Sequence, residues 1–294
     1  MTGTIEEARS WFAEDLRVAA GIKSSEVISA FARVPRENYI GPSPWRLGMR
    51  VSGVGAKPYS YQTFEGDPRA LYHDVIVALD EEKEVNNGQP SLWAKMFDEI
   101  DLRPGETILH LGCGTGYYTA VMAEIVGAAG SIAAVEIDEP LARRARDALS
   151  GNTRISVAVG NGTNIGPEAY DAIVISAGAT HPLECWLDGL KTGGRLLFPL
   201  TVELPQARSG SGAMLLITRT MEGSFAARFV GPAAFIHFQG ARNNEANQTL
   251  LEALRLRHHQ ISEVRTLRRE SHKPDESCWL HGEKFCLSRR ELAA

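Results

Sequence analysis

The sequence predicts an α/β chain centred on an open, Rossmann-like sheet, with a helical extension before it and a small α+β extension after it. Three observations carry that expectation. From about residue 90, apolar runs of strand length alternate with amphipathic helical runs, the rhythm of parallel β-α-β units. The first of those runs leads directly into Gly112-x-Gly114-x-Gly116 and then into a helix. Outside this stretch the rhythm is different, which divides the chain into 1–87, 88–235 and 236–294.

The elements follow in order. Residues 5–36 read as two helices, with Trp11, Phe12, Leu16 and Ala19, then Val27, Ile28, Phe31 and Val34, at helical spacing until Pro35 ends the second. Gly41 to Gly66 is rich in Gly, Pro, Ser and aromatic residues and reads as a long irregular segment able to cover a substrate. Ser91 to Ile100 is a helix, Arg103 to Glu106 a turn, and Thr107 to Leu111 a buried strand. After the glycine turn come a helix (Tyr118 to Val126), a strand (Ser131 to Ile137) and a helix (Pro140 to Leu149). Further strands are expected over Ile155 to Val159, Ala172 to Ser176 and Arg195 to Leu200. Met214 to Arg219 and Ala226 to Val230 should close the sheet edge as an antiparallel hairpin. Asn244 to His258 reads as a helix, and Glu276 to Ser288 as two strands around His281-Gly282.

Composition excludes several classes. A net charge of -5 gives no field toward nucleic acid or an anionic membrane. No apolar run approaches the roughly 20 residues that span a bilayer. The amino terminus has no signal core, and the four cysteines have no disulfide-framework spacing, so a cytoplasmic protein is expected. The arginines between Leu254 and Arg269 read as a solvated face rather than a nucleic-acid strip. Cys278-x-x-His281-x4-Cys286 offers three zinc-type side chains on a hairpin but no second cysteine pair, so no metal is expected.

The glycine turn carries the chemistry. Glycine allows the tight turn and the close approach of a ligand to the backbone. A dinucleotide fingerprint needs a glycine where Tyr117 stands, so the pattern suits a ligand without a pyrophosphate, such as an adenosyl amino acid. His110, Gly112, Cys113, Gly114, Gly116 and Tyr117 are therefore candidate contacts. Glu136, with Ile137, ends the second strand, where a carboxylate can accept two ribose hydroxyls. Asn161 and Gly162 follow the third strand, and an amide there can donate to and accept from an adenine edge. Tyr117 could also present its π face to a sulfonium, with core packing as the alternative.

Further motifs give a family resemblance. Phe31-Ala32-Arg33-Val34-Pro35-Arg36-Glu37-Asn38-Tyr39-Ile40, Tyr72-His73-Asp74, Leu190 to Leu196 with Phe198-Pro199, and Arg228-Phe229-Val230 resemble segments of protein-L-isoaspartate O-methyltransferases. The resemblance spans roughly residues 30–235. It implies a seven-stranded methyltransferase sheet, S-adenosylmethionine as cofactor, and a carboxylate acceptor on a peptide, protein or small molecule. It also implies substrate contacts at Tyr72, Asn87 and Gly88, and catalytic positions at Gln89 and Ser91. The chain departs from the family where Gly88 replaces an active-site hydroxyl, where His110 replaces an acid, and where Asn161 replaces an aspartate. An ionised carboxylate needs no general base; an amine or phenol acceptor would, and His73, His110 and above all His181 are candidates. The alternatives are a small-molecule O- or N-methyltransferase on the same scaffold and a non-catalytic cofactor-binding protein. A homodimer contact through the tail is compatible with the sequence.

Overall fold

The computed structural model describes residues 3–50, 59–166, 168–203, 208–221 and 223–292. In chain order the elements are α1 (Ile5–Ala20), α2 (Ser25–Arg33), α3 (Glu37–Ile40), β1 (Trp45–Arg50), β2 (Tyr59–Phe64), β3 (Ile76–Asp80), β4 (Val85–Asn86) and α4 (Pro90–Ile100). Next come β5 (Thr107–Leu111), α5 (Tyr117–Val126), β6 (Ser131–Glu136), α6 (Glu139–Leu149), β7 (Ile155–Val159), β8 (Tyr170–Ile175) and α7 (Glu184–Asp188). The chain continues through β9 (Leu190–Val202), β10 (Ser209–Arg219), β11 (Phe225–Ile236), α8 (Asn244–Leu256), β12 (Thr266–Arg268), β13 (Cys278–His281) and β14 (Cys286–Ser288).

Contacts group these elements into two compact units, and they do not break at residues 87 or 235. The first unit is Met1–Gly105, Cys113–Ile132 and Asp138–Ala158; the second is Glu106–Gly112, Ala133–Ile137 and Val159–Ala294.

In the first unit, α1 starts at a reciprocal cap. Thr4 Oγ1 accepts from Glu7 N (3.2 Å) and Glu7 Oε2 accepts from Thr4 N (2.8 Å), which satisfies two amides the helix leaves orphaned. Arg36 is the unit's buried hub, with no exposed surface. Its guanidinium donates to the carbonyls of Leu71 (2.6 Å), His73 (3.2 Å) and Val75 (2.6 Å) and to Asn87 Oδ1 (3.3 Å). A buried charge is tolerable only with such partners. The stretch from Gly41 to Gly66 is not wholly irregular, contrary to expectation. β1 pairs antiparallel with β2, in a sheet of order β2-β1-β3-β4. Tyr61, Thr63 and Phe64 along β2 favour the strand, and Gly48 lets Tyr61 and Ile76 close in, since a Cβ there would lie 2.6 and 2.7 Å from them. Residues 51–58 of that segment lie outside the described ones.

In the second unit the sheet order is β13-β14-β12-β11-β10-β9-β8-β5-β6. β5, β8 and β9 run parallel, whereas β10 and β11 form the expected antiparallel hairpin. That hairpin is not the sheet edge. β12 pairs with β11 (Phe225↔Leu267, Ala226↔Thr266), and β14 and β13 follow. Trp279, Leu280, Leu287 and Leu250 share one apolar cluster with Leu109, Ile173 and Phe198. Residues 236–294 thus continue the sheet and its core instead of forming an appended module. Among the described residues, no helix is long and apolar enough to cross a membrane.

Candidate active site

In the second unit the strand ends lie side by side. Gly112 N donates to Val135 O (2.8 Å), Gly160 N to Glu136 O (3.0 Å), and Ser176 N to Leu111 O (2.8 Å). Gly112, Glu136-Ile137, Asn161-Gly162 and Ser176 therefore gather at the carboxyl ends of neighbouring strands, where open α/β sheets bind ligands. Glu136 is 6% exposed, whereas Ile137 is 42% exposed. Gly162 is fixed twice over: its φ is +67°, and a Cβ would lie 2.9 Å from Leu111. Its carbonyl accepts from Trp186 Nε1 (2.9 Å).

Asn161 differs from expectation. Its Oδ1 accepts from Thr163 N (3.1 Å) and Thr163 Oγ1 (2.7 Å), closing an Asx turn. Both lone pairs are used, so the group it can offer a ligand is the Nδ2 donor alone. His110 is 1% exposed, with Nε2 2.9 Å from Ser176 Oγ. Burial depresses its pKa to about 3, so the imidazole is neutral at physiological pH and is a poor general base. His181 places Nδ1 3.0 Å from Thr180 Oγ1. Burial first, and the nearby Arg242 charge second, lower its pKa. Arg242 itself ties this loop to the following segment, donating to Gly178 O (2.6 Å) and Thr201 Oγ1 (3.2 Å).

The turn itself has three positive φ angles: +77° at Gly112, +57° at Gly114 and +93° at Gly116. Gly116 is also the residue before α5, and a Cβ there would lie 2.7 Å from Leu149. Gly116, the residue flanking α5, supplies no side-chain cap to the helix. Cys113 is buried within the turn. Tyr117 turns into the first unit's core. Its ring lies 5.0 Å from that of Tyr118, 5.8 Å from Tyr39 and 6.3 Å from Phe31, and the Arg36 guanidinium stands 5.9 Å over it. The packing alternative accounts for Tyr117, and the sulfonium contact finds no support.

The substrate-side residues, all in the first unit, are tied to one another. Asn87 Oδ1 accepts from Val77 N (2.7 Å) and from Arg36. Tyr72 is 4% exposed; its hydroxyl donates to Glu37 and accepts from Arg9 Nε (2.9 Å) and Arg36 N (3.1 Å). Burial, then the Glu37 contact, push its pKa up to about 12. Tyr72 thus serves as an internal strut of the first unit. Gln89 Nε2 (2.8 Å), Ser91 N (2.8 Å) and Ser91 Oγ (2.7 Å) all donate to the Asp74 carboxylate. Asp74 thereby caps α4, whose own flanking residue Gln89 makes no side-chain cap. The expected catalytic roles of Gln89 and Ser91 compete with this structural duty.

Gly88 is sealed. Its φ is +77°, its carbonyl accepts from Tyr118 Oη (3.0 Å), and a Cβ would lie 2.7 Å from Trp93 Nε1 and 3.2 Å from Tyr118. The missing hydroxyl is not simply absent; its space is filled. Sequence reasoning missed Arg36, Asp74, Trp93 and Ser176. Arg36 and Asp74 stood inside quoted motifs, but only three-dimensional neighbours reveal what they bind.

Comparison with known proteins bears on the family and the fold. The family model Protein-L-isoaspartate(D-aspartate) O-methyltransferase (PCMT) matches residues 53–242. A protein-L-isoaspartate O-methyltransferase of Ignicoccus hospitalis is 30% identical over 79% of this chain and 97% of its own. One of Methylorubrum extorquens is 32% identical over 78% and 87%. Among solved structures, a protein-L-isoaspartate O-methyltransferase has a TM-score of 0.62 at 23% identity, covering 84% of this chain and 70% of that one. A Plasmodium falciparum structure of this kind, in complex with S-adenosyl-L-homocysteine, has a TM-score of 0.56 at 17% identity, over 79% and 98%. These two confirm the Rossmann-like fold. The parallel strand ends, the glycine turn and the extent of the match lead to one conclusion: the chain is an S-adenosylmethionine-dependent methyltransferase and belongs to the protein-L-isoaspartate(D-aspartate) O-methyltransferase family.

Proposed function

We propose that this enzyme methylates a carboxylate carried by a peptide, protein or small molecule, and that its acceptor site departs from the family's usual one at Gly88. S-adenosylmethionine supplies a methyl already activated on a sulfonium. Two features, each within its own unit, fit that cofactor: a glycine turn where a Cβ at Gly116 would collide with Leu149, and a buried carboxylate at Glu136. Gly112, Gly114 and Gly116 would let the backbone approach it, Glu136 would accept its ribose hydroxyls, and Asn161 would donate to its base. Ile137 and Gly162 would pack beside it.

The protein's remaining task is to hold an acceptor oxygen in line and exclude water. The observation that carries the carboxylate reading is that, among the described residues, His110 and His181 are both weak bases. His110 is buried and bonded to Ser176, with its pKa lowered to about 3, and burial and then the Arg242 charge lower that of His181, whose Nδ1 is held beside Thr180, so both imidazoles are weaker bases than a free one. A carboxylate, with a pKa of about 4, is already ionised and needs none. Incubation with labelled methyl donor and an isoaspartyl peptide tests this. Base-labile label on the peptide supports it; base-stable label on another acceptor refutes the carboxylate. The sealed position at Gly88 favours a second reading, a different O- or N-linked acceptor on the same scaffold. A reducing, cytoplasmic setting suits the four cysteines. Light scattering tests whether the enzyme is a homodimer.

A further inference from the structure

We propose that His272, Cys278, His281 and Cys286 form a tetrahedral zinc site that staples the carboxyl-terminal hairpin to the loop preceding it. One donor atom from each of the four lies within 4.8 Å of all the others. Two thiolates and two imidazoles are a zinc ligand set, and bonds of about 2.3 Å to sulfur and 2.0–2.1 Å to nitrogen place tetrahedral donors about 3.3–3.8 Å apart. Cys278 Sγ and His272 Nε2 are already 3.6 Å apart. Closing the remaining distances takes a contraction of at most about 1.0–1.5 Å.

Local structure delivers these side chains to one place. Cys278 and His281 are three apart along β13, which in a regular strand puts them on opposite faces. A register shift between Cys278 and Leu280 removes that opposition. His281 faces Cys286 across the ladder, and Gly282 N donates to Phe285 O (2.8 Å) to close the turn between them. His272 comes from the loop between β12 and β13.

The surroundings are those of a metal site. His272 Nδ1 lies 2.9 Å from Glu270 O. A carbonyl can only accept, so Nδ1 carries the proton and Nε2 presents its lone pair toward Cys278, as in ligating histidines. Asp275 N donates to Cys278 Sγ (3.4 Å), as backbone amides do around metal-bound sulfur. His281 Nδ1 is buried without a hydrogen-bond partner. Cys278 and Cys286 are 5% and 1% exposed. None of the four residues is assigned to the cofactor or the acceptor.

The test uses the full chain. Reduced protein is incubated with zinc, desalted and assayed by plasma mass spectrometry, with about one zinc per chain expected. Cobalt loading should give tetrahedral ligand-field bands and a thiolate-to-cobalt charge-transfer band. Cys278→Ser, Cys286→Ser and His272→Ala should each lose the metal while retaining S-adenosyl-L-homocysteine binding in calorimetry. Should those variants fail to fold, the cobalt spectrum of the unaltered chain still decides. Reduced chain that retains no stoichiometric zinc and gives no tetrahedral cobalt spectrum overturns the proposal. So does a Cys278→Ser/Cys286→Ser double variant that keeps its zinc.

Discussion

Restoring the family's hydroxyl with Gly88→Ser should cost stability without restoring function. The backbone at Gly88 has φ +77°, a region that costs an L-residue roughly 1–2 kcal/mol. The new Cβ would lie 2.7 Å from Trp93 Nε1, 3.1 Å from Trp93 Cδ1 and 3.2 Å from Tyr118 Cε2. Trp93 is 1% exposed and cannot swing away, so overpacking adds about 1–3 kcal/mol. The total is about 2–5 kcal/mol, against a typical domain stability of about 5–15 kcal/mol. Urea denaturation followed by tryptophan fluorescence should show a midpoint lower by roughly 1 M or more. Gly88→Ala should lose nearly as much, because the Cβ is the offending atom. Adding Trp93→Phe, which removes Nε1, should recover about 1 kcal/mol of the serine penalty in a double-mutant cycle. Unchanged midpoints for both Gly88 variants would refute the sealed-position argument. So would a Gly88→Ser enzyme that gains isoaspartyl turnover at full stability.

Other outcomes follow from the same geometry. Glu136→Gln should weaken S-adenosyl-L-homocysteine binding about 10- to 100-fold in calorimetry, since a charge-assisted contact is worth about 1.5–3 kcal/mol; unchanged affinity removes Glu136 from the cofactor site. Arg36→Met should destabilise the chain by about 3–5 kcal/mol, because three carbonyls and Asn87 lose a buried charged donor together; a loss under about 1 kcal/mol by urea titration contradicts the hub. His110 has its folded pKa lowered from 6.5 to about 3, so the unfolded chain binds the proton more readily. Its neutral form therefore supports stability above pH 6.5, and that support fades as pH falls toward 3. Lowering the pH from about 7.5 to 5.5 should cost about 1.4 kcal/mol through this residue, a loss that His110→Asn abolishes. An identical acid dependence in both proteins would mean that His110 is not buried neutral.

Much was determined by the sequence alone, because it depends on local rules. Apolar period two or period 3.6 located β5, α5, β6, α6 and β7 to within a residue or so. The three turn glycines sit at positive φ because only glycine enters that region without strain. Glu136 was legible because strand ends in a parallel sheet face the ligand. What tertiary structure decided was the fate of polar and aromatic side chains whose partners are distant in sequence. Ser91 and Gln89 bond to Asp74, His110 to Ser176, and Tyr117 packs against Phe31 and Tyr39. β12 lengthened the sheet past its expected edge, and no sequence period announces a three-residue strand. The carboxyl-terminal cluster shows the same division. Sequence offered Cys278, His281 and Cys286 at an unremarkable spacing. The fold supplied His272, turned Cys278 across a bulge and buried the set, because ligand geometry is a property of positions in space and not of intervals along a chain.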